Sequence, residues 1–255
     1  MKNPSFKTQA FVLRFINYGE SDRIVTFFTR EFGKLRGIAK GARRSRKRFS
    51  NAIEPFSHSS LLFSRRKDSG LALIENCDVI NHYPAIRSDL RKTMTASYMI
   101  DLTDHFTVEN KRSSVIFQLL NDFLHLLETG NGPEETERFF ELRLLTLSGY
   151  EPTLGKCSIC NRSLDTITAA FFDATRGGIR CSQCGRGNQS NIPVATGTLK
   201  TLLLGKQIET NRIHRLILSG NALQESRDIF RHFIQHILGK EPKSLHVLDE
   251  IGRIM

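Results

Sequence analysis

Between Phe6 and Val79, apolar residues come in short runs broken by Gly, Asn and Ser: FKTQAFVLRFI, DRIVTFFT, KLRGIAK, SSLLFS and LALIENCDVI. Runs of this length, rich in Val, Ile and Phe and separated by turn formers, predict five β-strands. The first two carry Phe, Val and Ile on both faces. That suits strands wrapped into a small closed barrel better than an open sheet with one wet face, and a barrel of the OB type is the economical choice.

After Tyr83-Pro84 the repeat lengthens from two residues to about 3.6, with Leu90, Met94, Tyr98, Leu102 and Phe106 on one helical stripe. The domain boundary belongs there, with residues 1–82 forming the barrel and 83–255 a helical domain. A second helix carries Val115, Ile116, Leu119, Leu120, Phe123, Leu124 and Leu127 and ends near Gly130. A third opens at Pro133 and closes near Gly149, in keeping with the preference of Pro for the first helical turn and Gly for the end. From Gly155 to Asn188 the pattern breaks; this stretch holds four cysteines and is dense in Gly, Ser, Asn and Arg. It predicts a metal-stabilised insertion over residues 153–190. Helical spacing returns at Leu202–Leu204, then at Ile229, Phe230, Phe233, Ile234, Ile237 and Leu238, and finally at Leu245, Leu248 and Ile251, a stretch expected to pack back on the body. The predicted class is α+β and multidomain: an N-terminal OB-fold β-barrel, then an α-helical domain with an inserted four-cysteine, zinc ribbon-like segment.

Charge changes the picture from architecture to partners. The chain has 255 residues, a formal net charge of +11 and an isoelectric point near 9.7. A surface that positive favours a polyanionic partner. The excess is uneven: residues 1–50 contain thirteen Lys or Arg against Glu20, Asp22 and Glu31. Within KGARRSRKRF, six cations fall between Lys40 and Arg48, on a loop after the third predicted strand that is expected to be mobile until it meets phosphates. Each phosphate neutralised there releases condensed counterions, giving binding that is tight at low salt and largely indifferent to sequence. Arg65, Arg66 and Lys67 add charge to the same barrel, and Tyr18, Phe32 and Phe49 flank turns where bases could stack.

No apolar run is long enough to span a membrane, and the start MKNPSFKTQ lacks a signal-peptide core, so a reducing cytoplasm is expected. There, Cys157-x-x-Cys160 and Cys181-x-x-Cys184, separated by twenty residues, read as a zinc-ribbon ligand set for one structural Zn²⁺. A redox dithiol and two short-range disulfides are the alternatives. Arg162, Arg176, Arg180 and Arg186 decorate this segment, so a secondary DNA contact is a further option. Cys77 is left over. The eight histidines are scattered, and only His232 and His236 have i, i+4 spacing, without the glutamate of a metalloprotease helix. There is no phosphate-binding P-loop, no nucleophile elbow and no carboxylate cluster in the barrel, so no catalytic residue is assigned and the chain is not expected to be an enzyme.

The order of parts resembles a known family. GESDRIVTFFTREFGKLRGIAKGARRSRKRFSNAIEPF, then helices, then CSIC and CSQC, then LGKEPKSLHVLDEI, is similar to the bacterial RecO recombination-repair proteins over essentially the whole chain. The resemblance implies a mediator of RecF-type repair that binds single- and double-stranded DNA, anneals complementary strands, associates with RecR and the single-stranded-DNA-binding protein SSB, and helps load the RecA recombinase at the nucleoid. It implies DNA contact at Lys40, Arg43, Arg44, Arg46, Lys47 and Arg48, with the neighbouring barrel cations Arg14, Arg23, Lys34 and Arg36, and zinc ligation by Cys157, Cys160, Cys181 and Cys184. The alternative is a zinc-ribbon nucleic-acid-binding factor of transcription or translation.

Overall fold

Successive side chains of a strand point to opposite faces, and in β1 (Ser5–Tyr18) Ala10 and Val12 enter the barrel core while Phe11 faces outward onto a helix. The same alternation in β2 (Asp22–Thr29) sends Val25 and Phe27 inward and Phe28 outward. β3 (Gly33–Ala39), β4 (His58–Ser64) and β5 (Ala72–Asn81) add Leu35, Ala39, Leu61, Phe63, Ile74 and Cys77 to the interior. The computed structural model describes residues 4–45, 48, 49, 51–65, 70–130, 132–185 and 192–254, with side chains as far as Leu248.

The strands close in the order β1-β2-β3-β5-β4, an OB-fold barrel as expected. β1 pairs antiparallel with β2 on one edge and with β4 on the other, and a bulge between Val12 and Arg14 lets this long strand serve both. The ring is completed by a parallel seam of two residue pairs, Gly37↔Ala72 and Ile38↔Leu73. Glycine is required at this seam, because a Cβ on Gly37 would stand 2.3 Å from the Ile74 side chain.

The barrel ends at Asn81 and the first helix starts at Pro84, yet the compact unit runs from Met1 to Leu124, and a second from His125 to Met255. The reason lies on the outer face of the barrel. α1 (Pro84–Ser88) and α2 (Leu90–Phe106) follow, and Asp104 of α2 accepts from Lys34 Nζ at 2.8 Å and Arg14 Nε at 2.9 Å. Phe117 of α3 (Ser114–Thr129) lies 5.0 Å from Phe11 and 5.9 Å from Phe28, ring to ring. The outward Phe residues of β1 and β2 are thus covered by a helix. The α2 stripe is broader than its apolar positions predict: Thr95, Ala96, Met99, Ile100 and Thr103 are buried with Tyr98 and Leu102, whereas Leu90 is exposed. Thr103 Oγ1 donates to the Met99 carbonyl at 2.8 Å, which lets a hydroxyl sit in the interior.

The second unit contains α4 (Pro133–Leu147), α5 (Thr196–Gln207), α6 (Gly220–Leu238) and α7 (Lys243–Ile254). Phe139, Phe140, Leu144, Leu199, Leu202, Ile229 and Phe230 are fully buried, and Leu245 of the last helix is buried too, while Ile251 lies outside the described side chains. Between α4 and α5 runs the cysteine segment, a three-stranded sheet in the order β7-β6-β8 built from β6 (Ala170–Asp173), β7 (Gly178–Cys181) and β8 (Ile192–Val194).

Candidate nucleic-acid interface and metal site

The cationic loop is held by the turn that precedes it in the sequence. In the Gly19–Arg23 turn, Asp22 Oδ1 accepts from the Gly41 N–H at 2.8 Å and from the Ser21 hydroxyl at 2.9 Å. These two donors, the backbone one first, hold its carboxyl below the usual carboxylate range. The Ser21 carbonyl takes the Arg43 N–H at 2.9 Å, and the Glu20 carbonyl takes the Arg43 guanidinium at 3.1 Å. Past the loop, Phe49, Ala52 and Ile53 are buried in the barrel core, and the Arg48 carbonyl accepts from the Cys77 N–H at 3.2 Å. The described part of the loop is therefore tied to the barrel at both ends, because apolar residues within the polar run bury themselves in the barrel.

The ten barrel cations singled out from the sequence divide into distinct environments. Arg36, Lys40, Arg43, Arg44 and Arg48 are exposed. Arg43 and Arg48 donate to backbone carbonyls, Arg48 to that of Lys40 at 3.0 Å, which fixes their guanidinium groups without neutralising them. Arg44 approaches the Glu20 carboxylate at 3.5 Å, both side chains well exposed, a pairing worth little in water. Arg14 is 60% exposed despite its contact with Asp104. Lys34 and Arg23 are committed inside the fold. Lys34 is 13% exposed and bonds both the carboxylate and the carbonyl of Asp104; burial would raise the Asp104 pKa, but Lys34 and then Arg14 hold it low. Arg23 lies over the Phe15 ring at 4.1 Å and pairs with Glu54 at 2.9 Å. Arg46, Lys47, Arg66 and Lys67 lie outside the described residues, as does Arg186.

Of the stacking candidates, Phe49 is buried and Phe32 packs edge-on against Phe63 at 5.3 Å, so both serve the interior. Tyr18, at the end of β1, is 56% exposed. Arg65 donates to the Asn110 side chain at 3.0 Å beside the β3–β5 seam.

The four cysteines predicted as ligands converge: their sulfurs all lie within 4.8 Å of one another. The two pairs form matching turns. The Asn161 N–H donates to the Cys157 carbonyl at 2.9 Å, and the Gly185 N–H to the Cys181 carbonyl at 2.9 Å. Asn161 adopts the left-handed conformation (φ 57°) that such a turn needs, a role the sequence hides because Gly is the usual choice. Cys157 and Cys181 are buried, Cys160 is exposed and Cys184 lies between. Burial pushes the Cys157 thiol up, but the N–H groups of Cys160, Cys181 and Ile159 outweigh it and bring the thiol down to about 6. Cys181 is also lowered, chiefly by the Cys184 N–H, while hydrogen bonding first to Cys181 and then burial push Cys184 up to about 12. A tetrahedral site with Zn–S bonds of ~2.3 Å needs sulfurs ~3.8 Å apart, and Cys160 Sγ and Cys181 Sγ stand 3.8 Å apart. The residues fit a metal ion.

Of the ribbon arginines, Arg180 is ion-paired with buried Asp173 and Arg162 donates to Gln183 at 3.1 Å, whereas Arg176 is exposed. No helix among the described residues is long and apolar enough to cross a membrane.

Fold and site together define an OB-barrel protein with a clamped cationic loop and a tetracysteine ribbon set in a helical body. The family described as "Recombination protein O N terminal" matches residues 1–83, and "Recombination protein O C terminal" matches residues 87–246. Curated relatives are similar along nearly their full lengths. "DNA repair protein RecO" of Syntrophus aciditrophicus (strain SB) is 50% identical over 250 residues, covering 97% of this chain and 96% of that protein. That of Desulfatibacillum aliphaticivorans is 37% identical over 254 residues, covering 98% of each. That of Geobacter metallireducens is 36% identical over 247 residues, covering 97% of this chain and 98% of the relative. The chain belongs to the RecO family of DNA repair proteins, which decides against the transcription or translation factor.

Proposed function

We propose that this chain is a non-enzymatic recombination mediator of RecF-type repair. It binds single- and double-stranded DNA through the barrel loop, anneals complementary strands, associates with RecR and SSB, and promotes loading of RecA in the cytoplasm at the nucleoid. The observation that carries this reading is the clamped loop itself: Arg43 and Arg48 are positioned by carbonyls, and Arg36, Lys40 and Arg44 are exposed alongside. A preset array of exposed cations, of which only Arg44 approaches a carboxylate among the described residues, attracts a phosphate backbone without first having to be ordered.

Annealing then needs no catalytic residue and no ATP. A cationic surface that holds two strands weakens their mutual repulsion and raises their local concentration, and base pairing supplies the driving force. The metal in this scheme is a single Zn²⁺ on Cys157, Cys160, Cys181 and Cys184; when bound it cross-links the two turns, and four thiolates leave no open position for catalysis.

The test is fluorescence-monitored annealing of SSB-coated complementary oligonucleotides without ATP, across a salt series. Acceleration that fades with salt supports the reading. Binding without acceleration reduces the chain to a DNA-binding module.

A further inference from the structure

The segment Tyr150–Thr153 that follows α4, the β6–β7 turn and the last part of α6 line an open cleft of about 400 Å³, within the range of ~300–1,000 Å³ typical of small-ligand sites. It lies wholly in the second unit, away from the barrel loop in sequence. Its lining combines aromatic, apolar and cationic side chains. Tyr150, at one wall, is 47% exposed. Phe233 and Ile237 supply an apolar floor, Arg176 and His236 supply donors, and Glu151 is ion-paired with Lys206, which leaves Arg176 as the uncompensated charge.

The cleft is also preformed. Asp173 Oδ1 accepts from the backbone N–H of Thr175 at 3.0 Å and of Arg176 at 3.2 Å, while its other oxygen holds Arg180. These bonds fix the shape of the turn, and the exposed Arg176 has no ion-pair or hydrogen-bond partner for its guanidinium among the described residues. The Thr153 N–H donates to the Gly177 carbonyl at 2.8 Å, tying the segment after Tyr150 to the same turn. Gly177 has φ +63°, and a Cβ there would stand 2.8 Å from the Phe233 ring, so only glycine lets the turn lie this close to α6.

We infer that this cleft is a second nucleic-acid contact, receiving one nucleotide of a single strand with its base against Tyr150 and its phosphate on Arg176 and His236. A planar aromatic wall beside a free guanidinium suits base stacking next to a phosphate. The Glu151 carboxylate, paired with Lys206, can still accept from an amino group on a base edge. The inference rests on the proposed DNA-binding activity but places a contact that the barrel loop does not contain.

The test uses the full-length protein and a single-stranded oligonucleotide carrying 5-iodouracil, with crosslinked residues identified by peptide mapping, alongside binding titrations at several salt concentrations. The expected result is a crosslink at Tyr150 that persists when Arg43, Arg44 and Arg48 are replaced by Ala. Arg176→Ala weakens binding about threefold to fivefold and lowers the salt slope by roughly 0.7, the loss of one single-strand phosphate contact. Tyr150→Leu weakens it at least about fivefold with the slope unchanged. Both side chains are exposed, so zinc content and melting temperature should match the parent. Crosslinks confined to the barrel, with both variants binding normally, overturn the inference and leave barrel binding intact. No DNA binding at all overturns both. Protection of Tyr150 by a glutamate-rich peptide but not by the oligonucleotide makes the cleft a peptide site and overturns the inference as well.

Discussion

Two irregular, arginine-bearing segments are fixed in this molecule by opposite means. The loop between β3 and β4 contributes Phe49, Ala52 and Ile53 to the barrel core, and its first residues hang on Asp22. The cysteine segment from Gly155 to Gly185 has short strands and converges four sulfurs on one point. The loop borrows a core that already exists, whereas the ribbon, too small to make a full one, is suited to a metal cross-link. Stability of the loop should therefore follow packing, and that of the ribbon should follow metal and ligand chemistry.

The sharpest break is at the metal. Structural zinc contributes on the order of 10 kcal/mol to small ribbons, so a strong chelator should release about one zinc per chain and lower the unfolding temperature by well over 10 °C in calorimetry. Cys157→Ser should do the same, and the salt-dependent affinity of the barrel for DNA should survive both. Next comes packing. Phe49→Ala should cost about 3–5 kcal/mol in urea unfolding while leaving zinc content unchanged; a normal midpoint would show that the loop is not anchored by its apolar residues.

An acid titration separates the two regions again. His58 is buried between Phe11 and Phe117, ring to ring 4.6 and 6.0 Å, and its Nε2 has no hydrogen-bond partner among the described residues. Burial lowers its pKa to about 4. The folded protein holds it neutral while the unfolded chain takes up a proton below the usual pKa near 6.5, so the contribution is complete above pH ~6.5 and is lost as the pH falls towards 4. The loss should be on the order of 2 kcal/mol by chemical denaturation, and His58→Phe should flatten that part of the curve.

The smallest effect concerns charge alone. Replacing Arg43, Arg44 and Arg48 together by Ala should lower the single-strand salt slope by roughly 2 and the affinity about tenfold at moderate salt, with only a small fall in melting temperature from the lost bonds to the Glu20 and Lys40 carbonyls. Asp22→Asn should give a milder loss by loosening the loop while adding positive charge. Tighter binding in that variant would mean that the clamp is irrelevant.

Much of this was legible in the sequence because it was written locally. The period of two gave five strands, Pro133 and Gly149 bracketed a helix, and the spacing of Cys157, Cys160, Cys181 and Cys184 foretold their convergence. What stayed hidden depends on partners far along the chain. Lys34 resembles any other basic-strand residue until Asp104 arrives seventy positions later, and Arg23 until Glu54 turns up beside it. Phe49 reads equally as a stacking ring or a core residue; only its position inside the barrel decides. The cleft draws Tyr150, Arg176 and His236 from separate elements, each unremarkable alone.

The two-pair seam between β3 and β5 has a kinetic consequence. β1 pairs with β4 over Ser5–Phe11 and with β2 over Ala10–Tyr18, so Ala10 and Phe11, where the two ladders overlap, should exchange with solvent only when much of the ring comes apart. At Gly37–Ile38 the ring parts for the loss of two residue pairs, so local opening there is far more frequent than unfolding. Hydrogen exchange should find the barrel breathing at this point, a split ring hinged on the strand it protects best.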